Sequence, residues 1–111
     1  MSGKYSRTKG HNFERETAIC LRHIWPKAKR GLQTREGGEA PDVEIPAFWI
    51  ECKIGKSPNI RKAMEQATIA SDGSGKMPIV VSKRDRERAL VTMDIGDWIE
   101  IIGEWWELQN L

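Results

Sequence analysis

Residues 41–55 read PDVEIPAFWIECKIG, and this stretch decides the fold. Val43 and Ile45, then Phe48, Ile50 and Ile54, supply the β-branched and aromatic residues of two short strands, and Pro46-Ala47 between them reads as a hairpin turn. Three ionisable groups, Asp42, Glu51 and Lys53, sit in this apolar setting. Burying an unpaired ion costs on the order of several kcal/mol, so apolar runs normally exclude charge. Successive residues of a strand point to opposite faces, which places Trp49, Glu51 and Lys53 on one face and Ile50, Cys52 and Ile54 on the other. Glu51 and Lys53 then stand about 6 to 7 Å apart along the strand, and the hairpin brings Asp42 across from them. Two carboxylates converging beside an ammonium suit a hard divalent cation such as Mg²⁺. Such an ion polarises a phosphoryl oxygen and lowers the pKa of bound water, with Lys53 placed to orient that water or offset charge on the phosphorane. On spacing alone, the competing reading is a solvated hairpin whose Glu51–Lys53 pair is worth under about 1 kcal/mol. The apolar neighbours Ile50, Cys52 and Ile54 favour a central strand instead.

Upstream of the hairpin, residues 10–25 place Phe13, Thr17, Cys20, Leu21 and Ile24 on one helical stripe, which Pro26 closes. Residues 27–35 form a basic connector with a short strand, and residues 36–41, EGGEAP, a loop. Downstream, a helix opens with Ser57 as its N-cap and Pro58 in its first turn, and carries Ile60, Ala63, Met64 and Ala67 on its stripe. MPIVVS (77–82) reads as a buried strand, KRDRER (83–88) as a charged turn and ALVTM (89–93) as a further strand. Asp94 caps a last helix with Ile95, Trp98, Ile99 and Ile102, Trp98 being expected in the core. Strands flanked by helices at this length predict an α/β sandwich around one central mixed sheet.

With 111 residues and a 39% hydrophobic fraction, the chain supports one modest core and reads as a single domain, residues 1–111. No stretch approaches the roughly 20 apolar residues of a membrane span, and the polar, basic start lacks a signal-peptide core. An intracellular, cytoplasmic setting is expected, with no membrane partner and no organic cofactor. Cys20 and Cys52 read as free thiols, and neither His11 nor His23 has a partner at zinc-site spacing. The net charge is +2, but residues 1–35 hold nine Lys or Arg against two Glu, while Asp94 to the end holds five acids and no base. That front end suits a polyanion. Residues 1–9 read as a flexible basic arm, and residues 104–111 as an acidic, Trp-rich tail suited to a homodimer contact.

PDVEIPAFWIECK resembles the PD-(D/E)XK nuclease signature, with Pro41-Asp42 as its first half and Glu51-Cys52-Lys53 as its second. KGHNFERE, residues 9–16, resembles the motif that opens the archaeal and phage Holliday junction resolvases of the Hjc type. The downstream elements also come in a fitting order: a helix, the PIVVSKRD and ALVTM strands, and a helix with DW. The resemblance covers about residues 7–102. It implies a small restriction-endonuclease-like fold and a homodimer in which each subunit cuts one strand of a four-way DNA junction. It also implies Mg²⁺ (Mn²⁺ substituting) at Asp42, Glu51 and the backbone carbonyl of Cys52, with Glu14 completing the site directly or through water, and Lys53 as the catalytic lysine. Gln66 corresponds to a helical glutamine near such sites, and Thr34 to a loop hydroxyl before the aspartate. Arg15 is expected on a DNA phosphate, joined by Lys4, Arg7, Lys9, Lys29, Arg30, Thr34, Arg35 and Lys56. The sequence departs from the pattern in its short interval, eight residues between Asp42 and Glu51, and in the acids Glu36 and Glu39 of the preceding loop. No element resembles a major-groove reading helix, so recognition by DNA shape is expected. The alternatives are a nuclease of the same fold acting on flaps, forks or duplex, a non-catalytic DNA-binding protein, and an interaction module using the Trp-rich tail.

Overall fold

The computed structural model describes residues 3–32 and 39–111. Its elements in chain order are α1 (Gly3–Leu21), β1 (Lys29–Arg30), β2 (Val43–Glu44), β3 (Phe48–Gly55), α2 (Ile60–Ser71), β4 (Met77–Arg84), β5 (Leu90–Met93) and α3 (Ile95–Gln109). The five strands form one sheet in the order β1-β2-β3-β4-β5. The pairs β1–β2, β2–β3 and β4–β5 are antiparallel, whereas β3 and β4 run parallel from Phe48 opposite Met77 to Gly55 opposite Arg84. A parallel pair requires a crossover, and α2 supplies it. The architecture is therefore α/β with a central mixed sheet, a small restriction-endonuclease-like fold.

The alternation of β3 divides the core into two layers. Phe48, Ile50, Cys52 and Ile54 face α1, where Phe13 and Ala18 pack against Val43, Ile50, Ile79 and Val81. On the opposite face Ala63, Ala67 and Ser71, four residues apart on α2, are buried beside Trp49 and Val80. Small side chains at that spacing let the helix approach the sheet closely. Fully burying a residue such as Ile50 or Val80 contributes about 1.5–3 kcal/mol each.

Several boundaries differ from the sequence reading. The expected basic arm over residues 1–9 is helical from Gly3 onward, so Lys4, Arg7 and Lys9 lie on the first turns of α1. Lys9 forms an ion pair with Asp85 at the β4–β5 turn, which ties the polar start of the helix to the body. Once the Phe13 segment is docked, helix propagates through polar residues at little cost. At its other end α1 stops at Leu21 rather than running to Pro26, and Cys20 and Ile24 are exposed rather than on the core stripe. Here the carbonyl of Ala28 accepts from Arg22 Nε at 2.9 Å and the chain turns back on itself. Helix α2 is capped by Asn59, not Ser57: its Oδ1 accepts from the Lys62 N–H at 3.0 Å. Helix α3 is capped by Asp94 as expected, but it continues through the predicted tail to Gln109. It buries none of its residues, and Trp98, expected in the core, is 48% exposed because no other described element packs closely along α3. Half of the expected loop 36–41, residues 36–38, falls outside the described residues, as do Thr34 and Arg35.

Candidate active site

The backbone of Asp42 is held from both sides. Its N–H donates to the Ile50 carbonyl at 2.8 Å and its carbonyl accepts from the Gly31 N–H at 2.9 Å. Gly31 is required for this approach, since a Cβ there would stand 1.8 Å from the carbonyl oxygen of Pro41. Beyond Val43 and Glu44, β2 leaves the edge of β3 unpaired, and the Asp42 side chain takes over: its Oδ2 accepts from the Cys52 N–H at 2.8 Å. The N–H and carbonyl of one strand residue point to the same side, so the Cys52 carbonyl opens on the edge that Asp42 occupies.

Glu51 projects from the α2 face of β3 and is close enough to Asp42 to share a hydrogen bond. The Nζ of Lys53 lies 3.9 Å from Glu51 Oε1. Burial pushes the Glu51 carboxyl up to about 7, with the Asp42 charge acting in the same direction and Lys53 opposing. Asp42 is also raised, chiefly by burial, against the lowering effect of the Cys52 N–H. Burial and then the Asp42 charge push the Cys52 thiol up to about 12, so its sulfur is protonated and no ligand at neutral pH.

Asp42 stands on the wall of two concavities. One, of about 300 Å³, is lined by His11, Glu14, Arg30, Gly31, Leu32 and Pro41. The other, of about 190 Å³, brings Asp42 and Glu51 together with Trp49, Gln66, Ala70 and Glu39. Gln66 thus reaches the site from α2, and Glu14 reaches it from α1. Glu14 is bound by Arg30, whose Nε donates to its Oε2 at 2.7 Å. Sixteen residues separate the two, so no local pattern announces this pair. Arg30, read from the sequence as a phosphate contact, is therefore first a partner of the helical acid. Two further features lie outside the sequence reading. His11 lines the Glu14 concavity, and the indole N–H of Trp49, on the wall that Glu51 shares, is buried without an acceptor among the described residues.

The remaining basic positions scatter over the surface. Arg15 donates to Asn12 Oδ1 at 3.0 Å, Lys29 lies 3.7 Å from Glu44, and Lys9 pairs with Asp85. Lys4, Arg7 and Lys56 are exposed. Among the described residues no three His, Cys, Asp or Glu side chains converge on one point, so the direct participation of Glu14 in a three-carboxylate cage is not what the structure places there. What converges is two carboxylates, both raised in proton affinity chiefly by burial, and a backbone carbonyl. That donor set is all oxygen and fits Mg²⁺, which characteristically takes one or two carboxylates and completes its shell with water and phosphate.

A search of solved structures matches this chain to Archaeoglobus fulgidus Hjc, a Holliday junction resolvase from an archaeal hyperthermophile. The match has a TM-score of 0.50 at 24% identity and covers 77% of this chain and 72% of that one. The two share a fold. Neither a scan against family models nor a search of curated proteins finds a match. Among the described residues no helix is long and apolar enough to cross a membrane.

Proposed function

We propose that this chain is a Mg²⁺-dependent, structure-selective endodeoxyribonuclease that resolves four-way DNA junctions, acting as two copies with one incision each. The observation that carries the reading is the meeting of Asp42 and Glu51 at the free edge of β3, with Lys53 beside them, on a fold shared with an archaeal resolvase. Asp42, Glu51 and the Cys52 carbonyl would hold the ion. Mg²⁺, when bound, polarises a phosphoryl oxygen and makes its water more acidic. Lys53 stands where it can donate to the attacking water or to the developing negative charge, and Gln66 offers an amide to the same concavity. Glu14, fixed by Arg30, adds negative charge that favours a bound cation without itself joining Asp42 and Glu51. The basic residues of α1 and the β1 connector face a polyanion without presenting a base-reading helix, which supports recognition of DNA shape.

The test is cleavage of an end-labelled four-way junction and of its separate duplex arms, with Mg²⁺ or with chelator. Wild type is expected to cut the junction and spare the arms, only with the metal. Asp42→Asn or Glu51→Gln is expected to abolish cleavage while junction binding persists. Equal cutting of the linear arms would redirect the reading to a duplex nuclease of the same fold, and near wild-type cutting by either variant would overturn the site.

A further inference from the structure

Hydrolysis of a phosphodiester makes demands at two ends of the phosphorus. Water attacks from one side while the bridging oxygen departs roughly in line on the other. That oxygen leaves poorly, as a strongly basic alkoxide, unless a positioned acid gives it a proton. Asp42 walls two concavities, which offers a space for each end. The smaller holds Glu51 and Gln66, with the Lys53 ammonium 3.9 Å from Glu51, and suits the attacking water. The larger, of about 300 Å³, has room for about ten waters and contains neither Glu51 nor Lys53. Among the described residues, its ionisable side chains are His11, Glu14, Arg30 and Asp42.

The geometry points to His11 as the general acid that protonates the departing bridging oxygen. Its neighbours in the concavity are committed elsewhere. A guanidinium does not give up its proton, and Arg30 is already bound through Nε to Glu14 at 2.7 Å. Glu14 is the carboxylate of that ion pair, and Asp42 accepts from the Cys52 N–H at 2.8 Å and faces the cation as an acceptor. Imidazole is the side chain suited to passing a proton near neutral pH. His11 precedes Glu14 by three residues, which places both on one face of α1, and it is half-buried. Among the described residues its ring has no hydrogen-bond or ion-pair partner, so the fold has not used its nitrogens. In the step itself the electron pair of the breaking P–O bond stays on the bridging oxygen. That oxygen takes the imidazolium proton and leaves as a hydroxyl. Water supplies the new P–O bond and releases its own proton, and the neutral imidazole regains one from solvent.

This inference rests on the nuclease reading, and the test separates the two. Single-turnover cleavage of an end-labelled four-way junction by the full chain in Mg²⁺ first maps the cut. The product end that carries the phosphate, 5′ or 3′, identifies which bridging oxygen departs. A second junction then carries sulfur in place of that one oxygen. A thiolate leaves without being protonated, so the sulfur linkage has no need of a general acid. His11→Ala and His11→Gln, each shown by far-UV circular dichroism to be folded, are expected to cut the oxygen-linked junction about 100-fold or more slowly than wild type. Both are expected to cut the sulfur-linked junction at the wild-type rate. Glutamine keeps a hydrogen-bond donor but passes no proton, so its failure on oxygen distinguishes proton transfer from simple contact. Variants that match wild type on the oxygen linkage would overturn the inference and leave the nuclease reading standing. So would variants slowed by the same factor on both linkages, the signature of a phosphate contact. A wild type that cuts neither junction would end both readings.

Discussion

Replacing Glu51 by Gln should make the metal-free protein more stable at alkaline pH even as it removes activity. In the folded chain Glu51 titrates near 7, against an ordinary value of 4.5, because it is buried and faces Asp42. Between those two values the folded state binds more protons than the unfolded one, so stability falls as pH rises from about 4.5 through 7 and levels off above. At about 1.4 kcal/mol for each tenfold change in proton affinity, the interval from 4.5 to about 7 corresponds to a ceiling of about 3 kcal/mol. The side chain is only 20% exposed, so solvent screening removes little of this. The glutamine is nearly isosteric and never acquires the charge. Urea denaturation in chelator, at one fixed protein concentration and at pH 5, 6, 7 and 8, should show variant and wild type within about 1 kcal/mol at pH 5. The variant should be ahead by about 2–3 kcal/mol at pH 8, near the ceiling set by that shift. Adding Mg²⁺ at pH 8 should close the gap by stabilising the wild type alone, since a ligand that binds only the folded state adds to its stability. A variant no more stable than wild type at pH 8, or a difference that does not change with pH, would refute the picture of two carboxylates held together against their repulsion.

Other expectations rest on single contacts. Gly31→Ala should cost about 3 kcal/mol or more and abolish cleavage, because its Cβ would collide with backbone at Pro41 and displace Asp42; thermal denaturation with a cleavage assay checks this. Arg30→Met should destabilise by about 1–3 kcal/mol by leaving half-buried Glu14 without its cation, and combining it with Glu14→Gln should recover part of that loss in a double-mutant cycle. Ala47, at φ 73° in the β2–β3 turn, holds a conformation that suits glycine. Ala47→Gly should therefore raise the urea midpoint by an amount worth about 0.5–1 kcal/mol, with the slope unchanged. In junction binding, Lys4→Ala with Arg7→Ala should reduce the log–log salt slope by about 2, while Lys29→Ala, whose ammonium already lies 3.7 Å from Glu44, should change it less.

Much of the candidate site's geometry was legible in the one-dimensional chain because it is local. Asp42, Glu51 and Lys53 lie within one hairpin, where a period of two and a short turn settle which side chains meet. The same alternation divided Ile50, Cys52 and Ile54 from the charged face, and strands flanked by helices at this length announced one mixed sheet, although which pair in it runs parallel came only from the structure. Tertiary structure alone decided what depends on distant partners. Arg30 belongs to Glu14 only because β1 lies beside α1, and Lys9 is helical rather than part of a loose arm because Asp85 meets it from the far end of the sheet. Periodicity shows that a helix has an apolar stripe but not what covers it, so Trp98 read as core and emerged half-exposed on a helix that no other described element covers. Local spacing carries information about neighbours within a few residues, whereas burial and ion pairing are properties of surfaces that exist only once the chain has closed on itself.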